Sequence, residues 1–333
     1  MKMDLSTQYL GLTLPSPVVA SASPLTGDLA NLRALEARGA GAVVLPSVFE
    51  EQVLRDQEIL EALLDHGAES TGEALSFFPP QISESFDTAR QLALVEEASE
   101  ALDIPVIASL NGVTLSGWID YAQEFEAAGA AAIELNIFLI PSDPTVSSAE
   151  IEARYTEIVR AVASAVSIPV AVKIGPYFSS PGAMAAQLVE AGAKGLVLFN
   201  RFYQPDIAPA TLSIEASLKL SDPYEGRLPL LWTGVLAGRT QASLAATTGV
   251  ETAEDVVKFL LAGADVVMTT SALLRHGVDH MGTLVEGLSA WLGARGVNSP
   301  DMIRGRLSHG QIDNPEAYER ANYIRVLQGY RPG

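Results

Sequence analysis

Lys173 ends the run Pro169-Val170-Ala171-Val172, which is otherwise continuously apolar. A cationic side chain in that place must leave the core and project into the mouth on which the run opens. There it can snorkel into solvent, partner an anion or a cofactor, or act as a Schiff-base amine made nucleophilic by desolvation. Asn136 closes the run AIELN and Asn200 closes GLVLFN, on either side of it. One amide at a strand tip can simply cap a turn. Three polar tips on consecutive runs, converging on one mouth, point instead to a ligand. Two later turns, Thr247-Thr248-Gly249 and Thr269-Thr270-Ser271, bring small residues to helix starts. Their backbone N–H groups can form an anion nest, and the last two turns of a barrel are its usual phosphate site. A lysine, amides and such a nest together suit flavin mononucleotide (FMN) or a phosphorylated sugar.

Composition removes several other chemistries. The chain has no cysteine, which excludes disulfides, thiolate metal sites, iron–sulfur ligation and a cysteine base. Any iron–sulfur relay would have to lie on another chain. His276 and His280 stand four apart and could share a helical face, but Gly277 intervenes and no third ligand accompanies them, so no metal site is expected. A formal net charge of −19 argues against nucleic acid as a partner, because phosphates would be repelled. The first twelve residues, MKMDLSTQYLGL, lack an apolar leader core, and no run of 18 apolar residues occurs. These features predict a soluble cytoplasmic protein with no membrane partner and a small-molecule substrate.

The elements that must position the polar tips declare themselves by repetition. Gly39-Ala40, Gly129-Ala130, Gly192-Ala193 and Gly263-Ala264 each introduce a short apolar run, and Ile104-Pro105-Val106 and Ile168-Pro169-Val170 introduce two more. Each follows a stretch with helical spacing, the trace of a helix handing over to a buried parallel strand. This predicts an α/β fold, a (β/α)8 TIM barrel, as a single domain over residues 1–333. Residues 4–15 read as an N-terminal hairpin capping the lower end, 17–22 as the first strand, 42–47 as the second and 242–249 as the seventh. LPLLWTGVL reads as a helix, and ETAEDVVKFLLAGA as another opened by a Thr252/Asp255 capping box. A long insertion, about 48–103, holds an amphipathic stretch with Val53, Ile59, Leu60, Leu63 and Leu64 on one stripe, then Phe77 and Phe78 before Pro79-Pro80. The two phenylalanines are either a substrate wall or anchors beneath the insertion. The segment after Asn200 reads as irregular, and the tail, about 298–333, as a helical extension.

The opening DLSTQYLGLTLPSPVVASAS, then IELN, VAVKIGPYF, LVLFN, TTGVETAEDVVKFLLAGAD and TTSALLRHG occur in an order and spacing that resemble the class 1 dihydroorotate dehydrogenase family over roughly residues 4–290. That family consists of FMN-containing barrels. The resemblance implies that Lys173 contacts the flavin near its N1–C2=O edge and stabilises the anionic reduced form. It implies that Asn136 and Asn200 contact flavin and substrate, and that Thr248, Gly249, Thr270 and Ser271 lie on the phosphate turns. Ser21 and Ala22 fall on the turn beside the isoalloxazine, and Asn111 on the turn after the third strand.

The chain departs from the family on the substrate side. The position of the family's proton-accepting Cys or Ser is Leu139, and that of a substrate-binding Asn is Pro141. A family lysine after the second strand falls on Pro46, and SFFPP replaces an Asn-rich substrate loop. Ser142 and Tyr177 are the hydroxyls that could supply a displaced base, though a hydroxyl needs an activating partner. The reading that follows is an FMN-dependent oxidoreductase acting at flavin N5 on a small substrate more apolar than dihydroorotate, with Phe77, Phe78, Asn136 and Asn200 beside it. The alternatives are a Schiff-base lyase using Lys173, and a non-catalytic flavoprotein subunit with a redox partner protein. A homodimer is compatible with each.

Overall fold

In the computed structural model, which describes residues 3–50, 87–112, 114–201, 205–215, 219–319, 324 and 327–329, the Gly-Ala phrases are helix stops. The N–H groups of Ala40, Ala130, Ala193 and Ala264 donate to the carbonyls of Leu35, Phe125, Leu188 and Phe259, each five residues back. That is the closure that ends a helix through a left-handed residue. The very next residue joins the sheet: the N–H groups of Gly41, Ala131, Lys194 and Asp265 donate to Val18, Val106, Val170 and Leu244 on the preceding strand. The Ile-Pro phrases do the same with a proline, which lacks a donor but sits where none is needed. Pro105 accepts from Val43, and Pro169 from Ile133.

Eight parallel strands close into a barrel in the order β11-β12-β3-β4-β5-β6-β7-β8. They are β3 (Val18–Ala20), β4 (Ala42–Phe49), β5 (Val106–Asn111), β6 (Ala132–Asn136), β7 (Val170–Ile174), β8 (Gly195–Leu198), β11 (Ser243–Ala246) and β12 (Val266–Thr269). Around them run α1 (Leu29–Ala37), α2 (Asp87–Ala101), α3 (Leu115–Ala127), α4 (Ser148–Ala165), α5 (Pro181–Glu190), α6 (Arg227–Leu236), α7 (Ala253–Ala262), α8 (Ser271–His276) and α9 (His280–Gly293). The expected capping box is present: the Thr252 and Asp255 side chains bond each other's backbone N–H at the start of α7. LPLLWTGVL lies in α6, and the seventh barrel strand is β11, as expected.

Strand alternation divides the core. Ile133, Leu135, Val170 and Val172 face the helices, whereas Ala132, Ala171, Val197, Ala245 and Val266 fill the barrel. The hairpin β1 (Thr7–Tyr9)/β2 (Leu12–Leu14) plugs the end where strands begin, burying Tyr9, Leu10 and Leu14 in that inner layer. Leu10 N–H donates to Ser243 Oγ at 3.0 Å and Thr7 Oγ1 to Asp265 O at 3.0 Å, so the plug is tied to β11 and the start of β12. With the lower end stopped, the opposite end is the open mouth.

One expectation changes. The segment after Asn200 is not wholly irregular: β9 (Asp206–Ala208) and β10 (Ser213–Glu215) form an antiparallel hairpin outside the barrel. The tail carries the 3-10 turns Pro300–Met302 and Pro315–Tyr318, each opened by a proline, and residues 324 and 327–329 are helical. Pro46 lies in a bulge of β4, where three steps along that strand, Val44 to Ser47, match two on β5, Ile107 to Ser109. The insertion stripe and Phe77 and Phe78 lie outside the described residues.

Candidate functional site

A cavity of about 250 Å³ opens at the C-terminal ends of the strands. Its lining holds Ser21, Ala22, Lys173, Asn200, Thr248, Gly249, Thr270 and Ser271 together, with Phe199, Arg201, Ser221 and Met268. Asn136 stands just behind: the Asn200 amide donates to Asn136 Oδ1 across β7. Asn111 ends β5 in register with Phe49 and is not part of this lining.

Lys173 sits in β7, register partner of Asn136. In the closed ring β7 lies opposite β3, four strands away. Lys173 Nζ therefore reaches across the mouth, coming within 3.4 Å of both Ser21 Oγ and Glu134 Oε1. Glu134 is the residue that sequence reasoning missed. It stands in AIELN on the inward face with Ala132 and Asn136, and its side chain is 1% exposed against 12% for Lys173. A lone buried carboxylate would cost several kcal/mol, so the ammonium above it is its counter-ion. Beneath, Tyr9 is fully buried, and burial first, with Glu134 second, pushes its phenol well above the ordinary value. Neither Tyr9 Oη nor Glu134 Oε2 has a hydrogen-bond partner among the described residues.

The far side of the cavity is built from backbone. Thr248 and Gly249 both have positive φ, +79° and +74°. A Cβ on Gly249 would lie 2.6 Å from Gly226 N and 2.7 Å from Asp222 O, so only glycine fits. Ser221, also unforeseen, joins the two turns. Its hydroxyl accepts from Gly249 N–H at 3.3 Å and donates to Ser271 Oγ at 2.9 Å. Arg275, ion-paired with Glu251, holds the Ser221 carbonyl at 2.6 Å. Gly249→Ala should lower stability by about 1–3 kcal/mol through overpacking. Gly296→Ala is the control, because its φ of +67° carries the same strain but its Cβ meets open space. Thermal melting of the two variants separates clash from backbone strain, and equal losses would show that the Gly249 turn has room.

The loop after β6 has a different character. Leu139, Pro141, Ile151, Tyr155, Gly175, Tyr177 and Phe178 line a separate apolar recess of about 280 Å³. Tyr155 donates to Ile137 O at 3.3 Å and packs edge-on against Phe178, with ring centroids 5.3 Å apart. Burial pushes the Tyr155 phenol up, so it stays protonated. Ser142 is exposed on this loop, its N–H bonded to Ile140 O at 2.8 Å, and lines neither cavity. His276 and His280 both turn to Glu251, through its carboxylate at 2.7 Å and its carbonyl at 2.8 Å.

Comparison with known proteins places this geometry in context. Residues 86–292 match the family model described as dihydroorotate dehydrogenase. The chain is 31% identical over 317 residues to an Aeropyrum pernix protein provisionally named dihydroorotate dehydrogenase A (fumarate), covering 91% of this chain and 97% of that one. It is 24% identical over 319 residues to dihydroorotate dehydrogenase A (fumarate) of Lactobacillus delbrueckii subsp. bulgaricus, covering 89% and 96%. A third relative is the catalytic subunit of dihydroorotate dehydrogenase B (NAD(+)) of Shouchella clausii, 29% identical over 223 residues, 61% of this chain and 68% of that one. Among the described residues, no helix is long and apolar enough to cross a membrane.

Proposed function

The chain belongs to the dihydroorotate dehydrogenase family and is an oxidoreductase of that type, and from that premise we propose that it binds FMN in the barrel mouth and turns over a small substrate more apolar than dihydroorotate. The observation that carries this reading is one cavity with a half-buried ammonium at one wall and a backbone nest at the other. Bound there, FMN would supply two-electron chemistry at its N5. The protein's own residues do the rest. Gly249 lets the backbone close on a phosphate without a side chain, and Ser221 fixes the two turns at one spacing. Lys173 presents a pre-oriented positive charge where a reduced ring would carry a negative one, in a setting drier than bulk water. Asn136 and Asn200, bonded to each other, hold their remaining polar atoms in fixed directions.

The apolar recess beside Leu139 supports a substrate with an apolar flank, because a polar ring placed there would lose its hydrogen bonds to water without replacement. Glu134 supports redox chemistry over a Schiff base. An amine nucleophile must be free to reach a carbonyl carbon, and Lys173 Nζ is ion-paired with Glu134 at 3.4 Å.

The cofactor itself is the direct test. Heat denaturation followed by chromatography should release FMN and no FAD, since the turns at Thr248-Gly249 and Thr270-Ser271 suit a terminal phosphate. Recovery of FAD, or failure to take up supplied FMN, overturns the assignment.

A further inference from the structure

Glu134 is absent from the lining of the mouth cavity, yet its carboxylate is ion-paired at 3.4 Å with Lys173, a cation of that lining. The pair is layered. Glu134 points into the barrel one step below Asn136 on β6, Lys173 reaches over it from β7, and the cavity lies above Lys173. Nothing structural requires a carboxylate there. Its register neighbour on β7, Ala171, is apolar, as are the inward Val197 and Ala245, and its neighbour on β5, Ser109, is a neutral hydroxyl bonded to Ser47, so a neutral residue of like volume would serve packing as well. One of its oxygens has no partner among the described residues, a cost that a merely structural residue would not carry.

We infer that Glu134 is a positioning residue that holds Lys173 at the floor of the mouth and offsets its charge, so that a bound flavin sees a screened cation rather than a bare one. The inference rests on the FMN reading above. The Lys173 ammonium has two anchors, Ser21 Oγ opposite and Glu134 Oε1 below, both 3.4 Å away. Of these only Glu134 carries charge. A buried negative charge close to the ring disfavours its anionic reduced form, opposing the effect of Lys173. The net reduction potential is therefore set by the pair and not by the lysine alone.

The test is a double-mutant cycle on the flavin-loaded protein with Glu134→Gln and Lys173→Met, read as reduction potential and as FMN affinity. Glu134→Gln keeps an acceptor for Lys173 and removes the charge. It should favour bound reduced flavin over oxidised flavin by about tenfold, which for a two-electron couple is a rise of about 30 mV. In the Lys173→Met background the same substitution should move the potential by a different amount, because Glu134 there has no ammonium to hold or to offset. An unchanged potential in Glu134→Gln, or an equal shift in both backgrounds, overturns the inference while leaving the FMN reading intact. If no flavin binds to the wild type, it is the FMN reading that falls. The melting temperature of the apoprotein gives a second cycle free of cofactor. There the double variant should be more stable than the sum of the single losses predicts, and strict additivity would show that the two side chains are not paired. Should Glu134→Gln fail to fold, Glu134→Asp keeps the charge but shortens the reach. It should weaken FMN binding several-fold with a smaller change in potential, and wild-type affinity would overturn the positioning role.

Discussion

Mixed anaerobically with excess dihydroorotate, the FMN-loaded protein should leave its flavin oxidised over minutes. Oxidation of that substrate needs a group to take a proton, and loss of a positioned general base typically costs about 10²–10⁴-fold in rate. The resemblance in sequence puts the family's base at Leu139, which lines the apolar recess with Tyr155 and Phe178. Two residues on, Pro141 lines the same recess and offers no side-chain hydrogen bond. Ser142 carries the next hydroxyl along the loop, but it is exposed and outside the lining that holds Lys173 and Asn200. Tyr155 is buried and held protonated. Stopped-flow absorbance reads the outcome. Rapid bleaching would mean that another group has taken the base's place, and Ser142→Ala, expected here to be without effect, would then abolish it.

The barrel was legible because its signals are local. A Gly-Ala phrase places a helix stop and the first sheet bond within two residues, and this happens four times with the same bonding pattern. The mouth was legible in the polar residues that end strands, since a strand end has a fixed direction once the barrel is granted. Lys173, Asn200 and the two Thr-rich turns were found this way, and they share one cavity. Glu134 was hidden inside a run read as apolar. The signal lay in the period of two, for in AIELN the residue two before the inward Asn136 must also face inward. Ser221 had no local signal at all, because its partners Gly249 and Ser271 lie 28 and 50 residues away. The hairpin of β9 and β10 was missed for a different reason. Strands of three residues are too short for alternation to register.

Lys173→Ala should have the largest effect on the fold and the cofactor together. A charge-assisted contact to the flavin is worth about 1.5–3 kcal/mol, so FMN affinity should fall by about 10- to 150-fold. The reduction potential should fall with it, since the charge that favours the reduced ring is gone. The structure adds a second loss that the flavin contact alone would not predict. With Glu134 only 1% exposed, removing its partner leaves an uncompensated buried carboxylate, which typically costs about 3–5 kcal/mol. The apoprotein should therefore melt well below wild type even with no cofactor present. Lys173→Met, which keeps most of the stem's volume, should recover only the packing share of that loss. Thermal melting of the apoprotein, alongside FMN titration by flavin fluorescence, measures both effects. Wild-type melting together with unchanged FMN affinity would show that Lys173 neither compensates Glu134 nor meets the ring. A drop in stability with unchanged affinity would confine Lys173 to the barrel's interior and return the cofactor's charge partner to Arg201, the other cation in the cavity lining.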